Sequence, residues 1–350
     1  VSTAKIADNA VTVSKADFNN VNFKNLIING DMSQAQRGTQ TTGIGASDGY
    51  FTVDRFQYTK EGSPSARFTM SQSTVVPSGQ GFATSLKMDC TTAQGSLSAG
   101  DGFNVQTKIE AQNLQLLRYG TSSAKTLILS FWVRAAKAGT NIVWIYQNDD
   151  ARSQAQSYTI SSTDTWEKKT LTFSADTTGV IDNNNGEGFR ISWWLGAGTN
   201  FTSGSLATTW QSHSSAIIAV GQVNNADTSG NDFYLTGVQL EVGTSASDFE
   251  FLPTDVNLQR CLRYFEICEG GKEFYVAGTS NQKDYVNYSV KKRASASVTA
   301  ISTAENCCSS VSVDVGSRDA SISGRVVGNN VFATGDNKYF EAKFSADAEL

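Results

Sequence analysis

Apolar side chains recur at every second position through most of this chain, in short runs closed by clusters of Gly, Asn, Asp and Ser. That period sends successive side chains to opposite faces of a strand, and the clusters are turn chemistry. The run 126–135 (TLILSFWVRA) is apolar on both faces, as a central strand is. In 141–150 (NIVWIYQNDD), Ile142, Trp144 and Tyr146 share one face, while Val143, Ile145 and Gln147 share the other. Residues 168–176 (KKTLTFSAD) alternate more plainly. In 189–198 (FRISWWLGAG), Ile191, Trp193 and Leu195 point one way and Trp194 the other. The run 232–243 (DFYLTGVQLEVG) reads as a long strand with a bulge at Gly237. From residue 25 to 253 this is the spacing of a β-sandwich.

The segment 254–271 (TDVNLQRCLRYFEICEGG) departs from that rhythm. Leu258, Cys261, Leu262 and Phe265 recur at helical spacing, with Thr254 or Asp255 placed to cap the start and Gly270 the end. Pro253, just before it, marks a boundary. The strand pattern returns in 285–292, 296–302, 309–316, 320–328 and 338–350, predicting a smaller β-rich unit packed on the helix. Residues 1–24 stand apart. TAKIADNAV (3–11) is loosely echoed by TVSKADFNNV (12–21), and so short a piece buries no core by itself. It reads as a stalk or linker that orders against copies of itself or a neighbouring domain. The expected division is 1–24, stalk; 25–253, sandwich; 254–350, helix plus small β-rich C-terminal domain.

Composition supports the all-β reading. Charged residues make up 17% of the 350, below the usual quarter, and Gly, Ser, Thr and Asn fill the gap. These residues disfavour helices. The net charge of −5 and the shortness of the basic runs, such as Lys291-Lys292-Arg293, speak against nucleic acid as a partner. No segment approaches the ~20 apolar residues of a membrane span, so no membrane insertion is expected. The chain opens at Val1 with no signal-peptide pattern, as a piece of a longer polypeptide does. The five cysteines lack CxxC spacing. They read either as buried free thiols, in keeping with synthesis in a reducing cytoplasm, or as a bridge between subunits.

Seven segments come in a recognisable order: 25–38 (NLIINGDMSQAQRG), 50–58 (YFTVDRFQY), 127–140 (LILSFWVRAAKAGT), 165–179 (TWEKKTLTFSADTTG), 235–253 (LTGVQLEVGTSASDFEFLP), 258–266 (LQRCLRYFE) and 344–350 (FSADAEL). Together they resemble the C-terminal module of bacteriophage tail-fibre and related virion proteins, and the leading AKIADNAVT resembles the stalk repeats that precede it. The resemblance implies a jelly-roll sandwich like those of carbohydrate-binding modules, a small distal β domain, and a homotrimer. It also implies a place on the virion, as a tail or capsid appendage made in the host cytoplasm and joined to other virion proteins on its N-terminal side. In this likeness Leu26-Ile27-Ile28 is the first sandwich strand. Asn29-Gly30-Asp31 is then the turn that leads it away, with Asp31 a turn cap rather than a catalyst.

The chemical candidates are few. His213 is the only histidine, with no triad partner to name, and one histidine with scattered thiols composes no zinc site. The glycines of 43–49 and 95–102 belong to turns, since neither segment leads into a helix or carries a P-loop Lys. No catalytic residue, metal or cofactor is expected. Asp54, Asp149-Asp150, Glu241 and Glu250 remain as carboxylates whose spacing only a structure shows. Asp149-Asp150 also suit a Ca²⁺-binding or sugar-binding loop, and Asp54 and Arg55 suit structural ion pairs.

All six tryptophans lie between residues 126 and 215. Sugar rings offer apolar faces and polar rims, so their sites pair flat aromatics with amides, hydroxyls and carboxylates. The candidate carbohydrate-binding set is Trp144, Tyr146, Asn148, Asp149, Trp194 and Trp210. The alternative places these aromatics in the core or at a subunit interface. Three functions follow: a trimeric fibre that binds host surface glycans, a purely structural capsid or tail protein without a ligand, and, third, a polysaccharide-degrading enzyme. Solvent exposure of the tryptophans separates the first two.

Overall fold

Two six-stranded antiparallel sheets face each other across one apolar layer in the computed structural model, which describes residues 23–276, 281–315, 319–329 and 335–350. The stalk expected at 1–24 therefore lies, except for its last two residues, outside the described residues. The first sheet runs β1 (Gln40–Ile44), β3 (Arg67–Ser73), β4 (Ser85–Thr92), β12 (Asp232–Val242), β6 (Leu127–Ala135) and β9 (Glu167–Phe173). The second runs β11 (Gln211–Ser212), β8 (Arg152–Ile160), β7 (Gly139–Gln147), β10 (Glu187–Ala197), β5 (Gly102–Glu110) and β2 (Gln57–Glu61). The chain passes repeatedly between the sheets, and the result is the expected all-β jelly-roll sandwich. Phe131 of β6 meets Trp193 of β10 edge-on across the layer, with ring centroids 5.8 Å apart. The interior is filled by the alternate residues that the two-residue period assigns to it, such as Val105, Val143, Ile191 and Trp193.

The opening segment is not the strand expected of Leu26-Ile27-Ile28. Only two main-chain bonds among the described residues tie it to β12, Leu26 N–H to the Leu240 carbonyl and Val238 N–H to the Gly30 carbonyl (both 2.9 Å), and the Asn25 carboxamide supplies further ones. Its Oδ1 accepts from the backbone N–H groups of Ile27 (3.0 Å) and Leu240 (3.1 Å), and its Nδ2 donates to the Val238 carbonyl (3.0 Å). These bonds lie at the bulge in β12, where the pairing with β6 shifts between Thr236 and Gln239 and Gly237 adopts φ +61°. Asp31 caps the turn as expected. Its Oδ1 accepts from the hydroxyl of Ser33 (3.1 Å) and from Asn257 Nδ2 (3.1 Å).

The helix is shorter than its periodicity predicts. It spans Thr254–Leu262, with Pro253 at its N-cap and no side-chain cap bond. The chain then turns into β13 (Phe265–Val276), whose Phe265 and Cys268 pair with Asp347 and Phe344 of β18 (Gly335–Asp347). Gly270 is a strand residue, not a helix cap. A Cβ there would lie 2.1 Å from Val286, so the glycine lets two sheets approach. β15 (Ser297–Glu305) completes one three-stranded sheet, while β14 (Gln282–Asn287), β17 (Ser323–Asn329) and β16 (Ser310–Asp314) form another. Phe340, Phe344, Val326 and Tyr288 fill the space between them. The five cysteines are buried and unbridged, as the first reading held. Cys307 and Cys308 are both buried in the turn between β15 and β16. No helix among the described residues is long and apolar enough to cross a membrane.

Ion pairs join the C-terminal part to the sandwich. Glu110, fully buried at the end of β5, accepts from Arg263 Nε (2.7 Å), Arg263 Nη2 (2.8 Å) and the Tyr264 hydroxyl (2.6 Å). Burial alone would raise its carboxyl pKa. The Arg263 and Tyr264 hydrogen bonds outweigh it and hold the carboxyl below its ordinary value. The expected structural role of Asp54 and Arg55 is seen directly. Asp54 accepts from Gln36, and Arg55 pairs with Glu349 while its guanidinium lies 3.5 Å from the centre of the Tyr264 ring.

Candidate functional site

The outer face of the second sheet is laid out by register. Alternation turns Gln57 and Thr59 of β2, Asn104, Gln106 and Lys108 of β5, Arg190, Ser192 and Trp194 of β10, and Trp144 and Tyr146 of β7 to the same side. Pairing sets them in rows. One row is Gln57, Gln106, Ser192, Trp144; the next is Lys108, Arg190, Tyr146. A cleft of about 420 Å³ lies over these rows, with Asn148, His213, Phe201 and Ile218 closing one side and Asp48 and Glu61 the other.

The floor amides are held in place before any ligand arrives. Gln106 Nε2 donates to Gln57 Oε1 (2.7 Å), the Ser192 hydroxyl to Gln106 Oε1 (3.3 Å), and the Thr59 hydroxyl to Asn104 Oδ1 (2.8 Å). Asn104 and Gln106 are buried polar residues on a sheet face that leads to solvent. These two sets of bonds, one through Gln106 and one at Asn104, fix the carboxamides while leaving them further donors and acceptors. At one end, Glu187 neutralises two cations, Arg190 (2.9 Å) and Lys108 (3.2 Å). Burial lowers the Lys108 pKa, Arg190 and Arg55 add to the effect, and Glu187 opposes it.

The aromatic side is layered. Tyr146 and His213 are half-buried, and their rings meet at 5.1 Å; each also lies 5.5 Å from the Trp144 ring. Trp144 and Trp194 are only 7% and 1% exposed, because Phe201, Ile218 and Ala219 cover them in a small apolar cluster of their own. Gly102 makes room for this cluster: a Cβ there would sit 2.9 Å from the Trp194 ring. The His213 pKa is lowered by burial first and by Arg190 second, which favours the neutral ring at neutral pH. Its Nδ1 has no hydrogen-bond partner among the described residues, and the ring is positioned by its contacts with Trp144 and Tyr146. The carboxylates of the lining are Asp48 and Glu61, both on the β2 side. Among the described residues there is no group of three His, Cys, Asp or Glu side chains able to hold a metal ion.

The structure brings together four of the six residues singled out from sequence, Trp144, Tyr146, Asn148 and Trp194, and places the other two elsewhere. Trp210 belongs to the sandwich core. It stacks on Phe189 at 5.8 Å, and its Nε1 donates to the Ser174 carbonyl at 2.7 Å. Asp149 holds a neighbouring loop by accepting from the Asp182 N–H (3.0 Å), as Asp150 does from Val180 (2.6 Å). Asn104, Gln106, Lys108 and Arg190 were not among the sequence candidates. The strict alternation of 102–110 (GFNVQTKIE), with Phe103, Val105 and Ile109 inward, carried the signal for the first three.

No family model matches the chain, and no curated protein matches it by sequence. Among solved structures, the enzymatically active domain of tailspike protein 4 from bacteriophage CBA120 is similar at 12% identity and TM-score 0.33; the match covers 63% of this chain and 22% of that one. The family 11 carbohydrate-binding module of the Clostridium thermocellum cellulase Lic26A-Cel5E is similar at 12% identity and TM-score 0.30, over 59% of this chain and 97% of the module. The N-terminal cellulose-binding domain of Cellulomonas fimi β-1,4-glucanase C is similar at 14% identity and TM-score 0.29, over 61% and 100%. This chain spans about a fifth of the tailspike domain it matches. At such distances the chemistry of the cleft is read from this chain's own residues.

Proposed function

We propose that this chain is a non-enzymatic glycan-binding protein, and that the cleft on the outer face of the second sheet is its site. The observation that carries the reading is the ordered row of buried amides beside half-buried Tyr146 and His213. It pairs fixed hydrogen-bonding groups with aromatic surface, as a polyhydroxylated ring requires. Tyr146 and Asn148 are the accessible contacts, Gln57, Asn104 and Gln106 the floor, and Trp144 and Trp194 the backing. In this reading residues 25–253 form the binding unit and 254–350 a distal unit.

The proposal extends to setting. The seven ordered segments that resemble phage fibre modules support a homotrimeric virion appendage on tail or capsid, made in the host cytoplasm. It would be attached to other virion proteins on its N-terminal side and adsorb to host surface glycans. Three linked clefts would turn later contacts into intramolecular ones and raise avidity by ~10²–10⁴-fold. The burial of Trp144 and Trp194 favours a second reading, a structural fibre without a ligand.

Binding of the intact protein to a glycan array and to host cells, with its mass measured by light scattering, tests both. The expected result is a trimer that binds, with Tyr146→Ala and Asn148→Ala each weakening binding at least ~10-fold while the fold is kept. A folded protein that binds no glycan and no cell selects the structural reading, and a stable folded monomer removes the trimer.

A further inference from the structure

Phe201 lies in α1 (Thr199–Thr202), which opens a segment running over the outer face of the second sheet, through β11, to Ala219. Its two limbs bond to each other: Gly204 N–H donates to the Ala216 carbonyl (2.9 Å), Ala207 to Ile217 (3.1 Å) and Ala219 to Phe201 (3.0 Å). The segment is tied down at its root, where Gly198 N–H donates to the Asp101 carbonyl (2.7 Å), and firmly through its middle, where Ala155 N–H donates to the Ala207 carbonyl (2.7 Å), His213 N–H to the Ala151 carbonyl (2.8 Å), β11 pairs with β8 and Trp210 sits in the sandwich core. Between those ties the limbs lay Phe201 and Ile218 on Trp144 and Trp194, in the cluster that is separate from the sandwich core.

Two further observations meet at this place. The indole N–H groups of Trp144 and Trp194 are buried with no hydrogen-bond partner among the described residues, a state they share with Trp166 and Trp193, but theirs lie in the cluster that the two limbs cover. The cleft also has a neighbour, a hollow of about 710 Å³ beside Asn200 and Ser203, and the two share Glu61, Phe201 and Ser215. The two limbs are therefore the partition between two hollows, and Trp144 and Trp194 lie beneath it.

We propose that the two limbs, 199–206 and 214–219, are a strap that parts and lifts from the sheet, breaking the bonds between them, while the stretch between, seated by the β11–β8 pairing and by Trp210 in the sandwich core, stays in place. Lifting merges the two hollows into one long groove and opens Trp144 and Trp194 as a covered second aromatic surface. The merged groove takes an extended glycan chain of several sugar units rather than a single terminal sugar, whose hydroxyls can accept from the two indole N–H groups. The class of ligand rests on the glycan reading above; the motion does not.

Hydrogen exchange of the ligand-free protein separates the two. The amides of Gly204, Ala207 and Ala219 are expected to exchange together, at least ~100-fold faster than those of β7 and β10 beneath them. Strap amides protected as well as those two strands would overturn the proposal. Acrylamide quenching gives a second measure. Phe201→Ala should raise the quenchable fraction by two of the six tryptophans, and the gain should vanish in the same variant carrying Trp144→Phe and Trp194→Phe. Unchanged quenching in Phe201→Ala also counts against the strap. On an array of matched mono- to hexasaccharides, the longer chains should bind at least ~10-fold more tightly than the shortest. Equal binding of all lengths rejects the long groove. No binding at all rejects the glycan reading and leaves the strap to be decided by exchange.

Discussion

The two faces of the second sheet are both largely buried, and they are buried for opposite reasons. On the inner face Val105, Ile191 and Trp193 fill space against the first sheet. On the outer face Asn104, Gln106 and Ser192 are just as hidden, yet they are polar and hydrogen-bonded along that face, Asn104 to Thr59 and Gln106 to Gln57 and Ser192. Apolar burial stabilises a fold without needing direction, whereas buried amides at best offset their own desolvation. A face that keeps them gains little stability from them, and this contrast supports the outer side as the proposed site.

Trp193 and Trp194 are neighbours in sequence on opposite sides of that divide, and replacing each by alanine breaks the comparison most sharply. Trp193→Ala empties the centre of a close-packed layer, between Phe131 and Phe56, and is expected to cost about 3–5 kcal/mol. Trp194→Ala removes as much surface from beneath the strap, which can settle into the space, so about 2 kcal/mol is expected, since the loss depends on how well a site collapses. Urea unfolding of both variants gives the two values. Equal losses would erase the distinction between core and cleft.

A smaller effect is expected where the outer-face strand β5 ends, at Glu110. Replacing it with Gln leaves Arg263 facing a neutral amide. Because Arg263 is 30% exposed and can be rehydrated, the loss should fall below the ~3–5 kcal/mol of a fully buried pair, at about 2 kcal/mol. The pH dependence carries its own sign. The folded carboxyl is held below its ordinary value of 4.5, so its contribution is complete above pH 4.5 and is lost as the pH falls through the lower, folded value. Glu110→Gln should flatten that part of the stability profile below pH 4.5. An unchanged acid slope would show that the pair does not carry it.

These contrasts were partly visible in the sequence. The alternation in 189–198 assigned Trp193 and Trp194 to opposite faces, and Ile142, Trp144 and Tyr146 to one. A two-residue period is local, and it survives folding wherever one face is packed. What failed was whatever depended on a distant partner. Trp210 reads like any other strand-end tryptophan until Phe189 and Ser174 arrive to bury it. Asp149 looks free until the loop at Asp182 closes on it. Leu262 and Phe265 fit helical spacing, yet β18 captures the chain from Phe265 onward, because eighteen residues of periodicity cannot outweigh a paired strand. Asn25 shows the converse, its carboxamide making up for ladder bonds that the segment 26–30 only partly forms with β12. Asn104 and Gln106 were passed over because a polar residue in an alternating strand ordinarily faces water. Only the sheet order shows them at the bottom of a cleft.

His213 gives the finest test of the two faces, since it is the one group on the aromatic side of the cleft whose charge can change near neutral pH. Burial against Trp144 and Tyr146, with Arg190 nearby, holds its folded pKa below the ordinary 6.5. The unfolded chain therefore takes up a proton below pH 6.5 before the folded one does. The folded state gains nothing from His213 above that pH, and it loses stability as the pH falls from 6.5 toward the lower folded value. His213→Gln should remove this slope and leave stability at pH 8 nearly unchanged. The same protonation puts a second cation beside Arg190, so binding of a neutral glycan should weaken over the same interval in the parent and not in the variant. Titration by NMR decides the matter: a His213 pKa at or above 6.5 would place the ring in water rather than against the tryptophan.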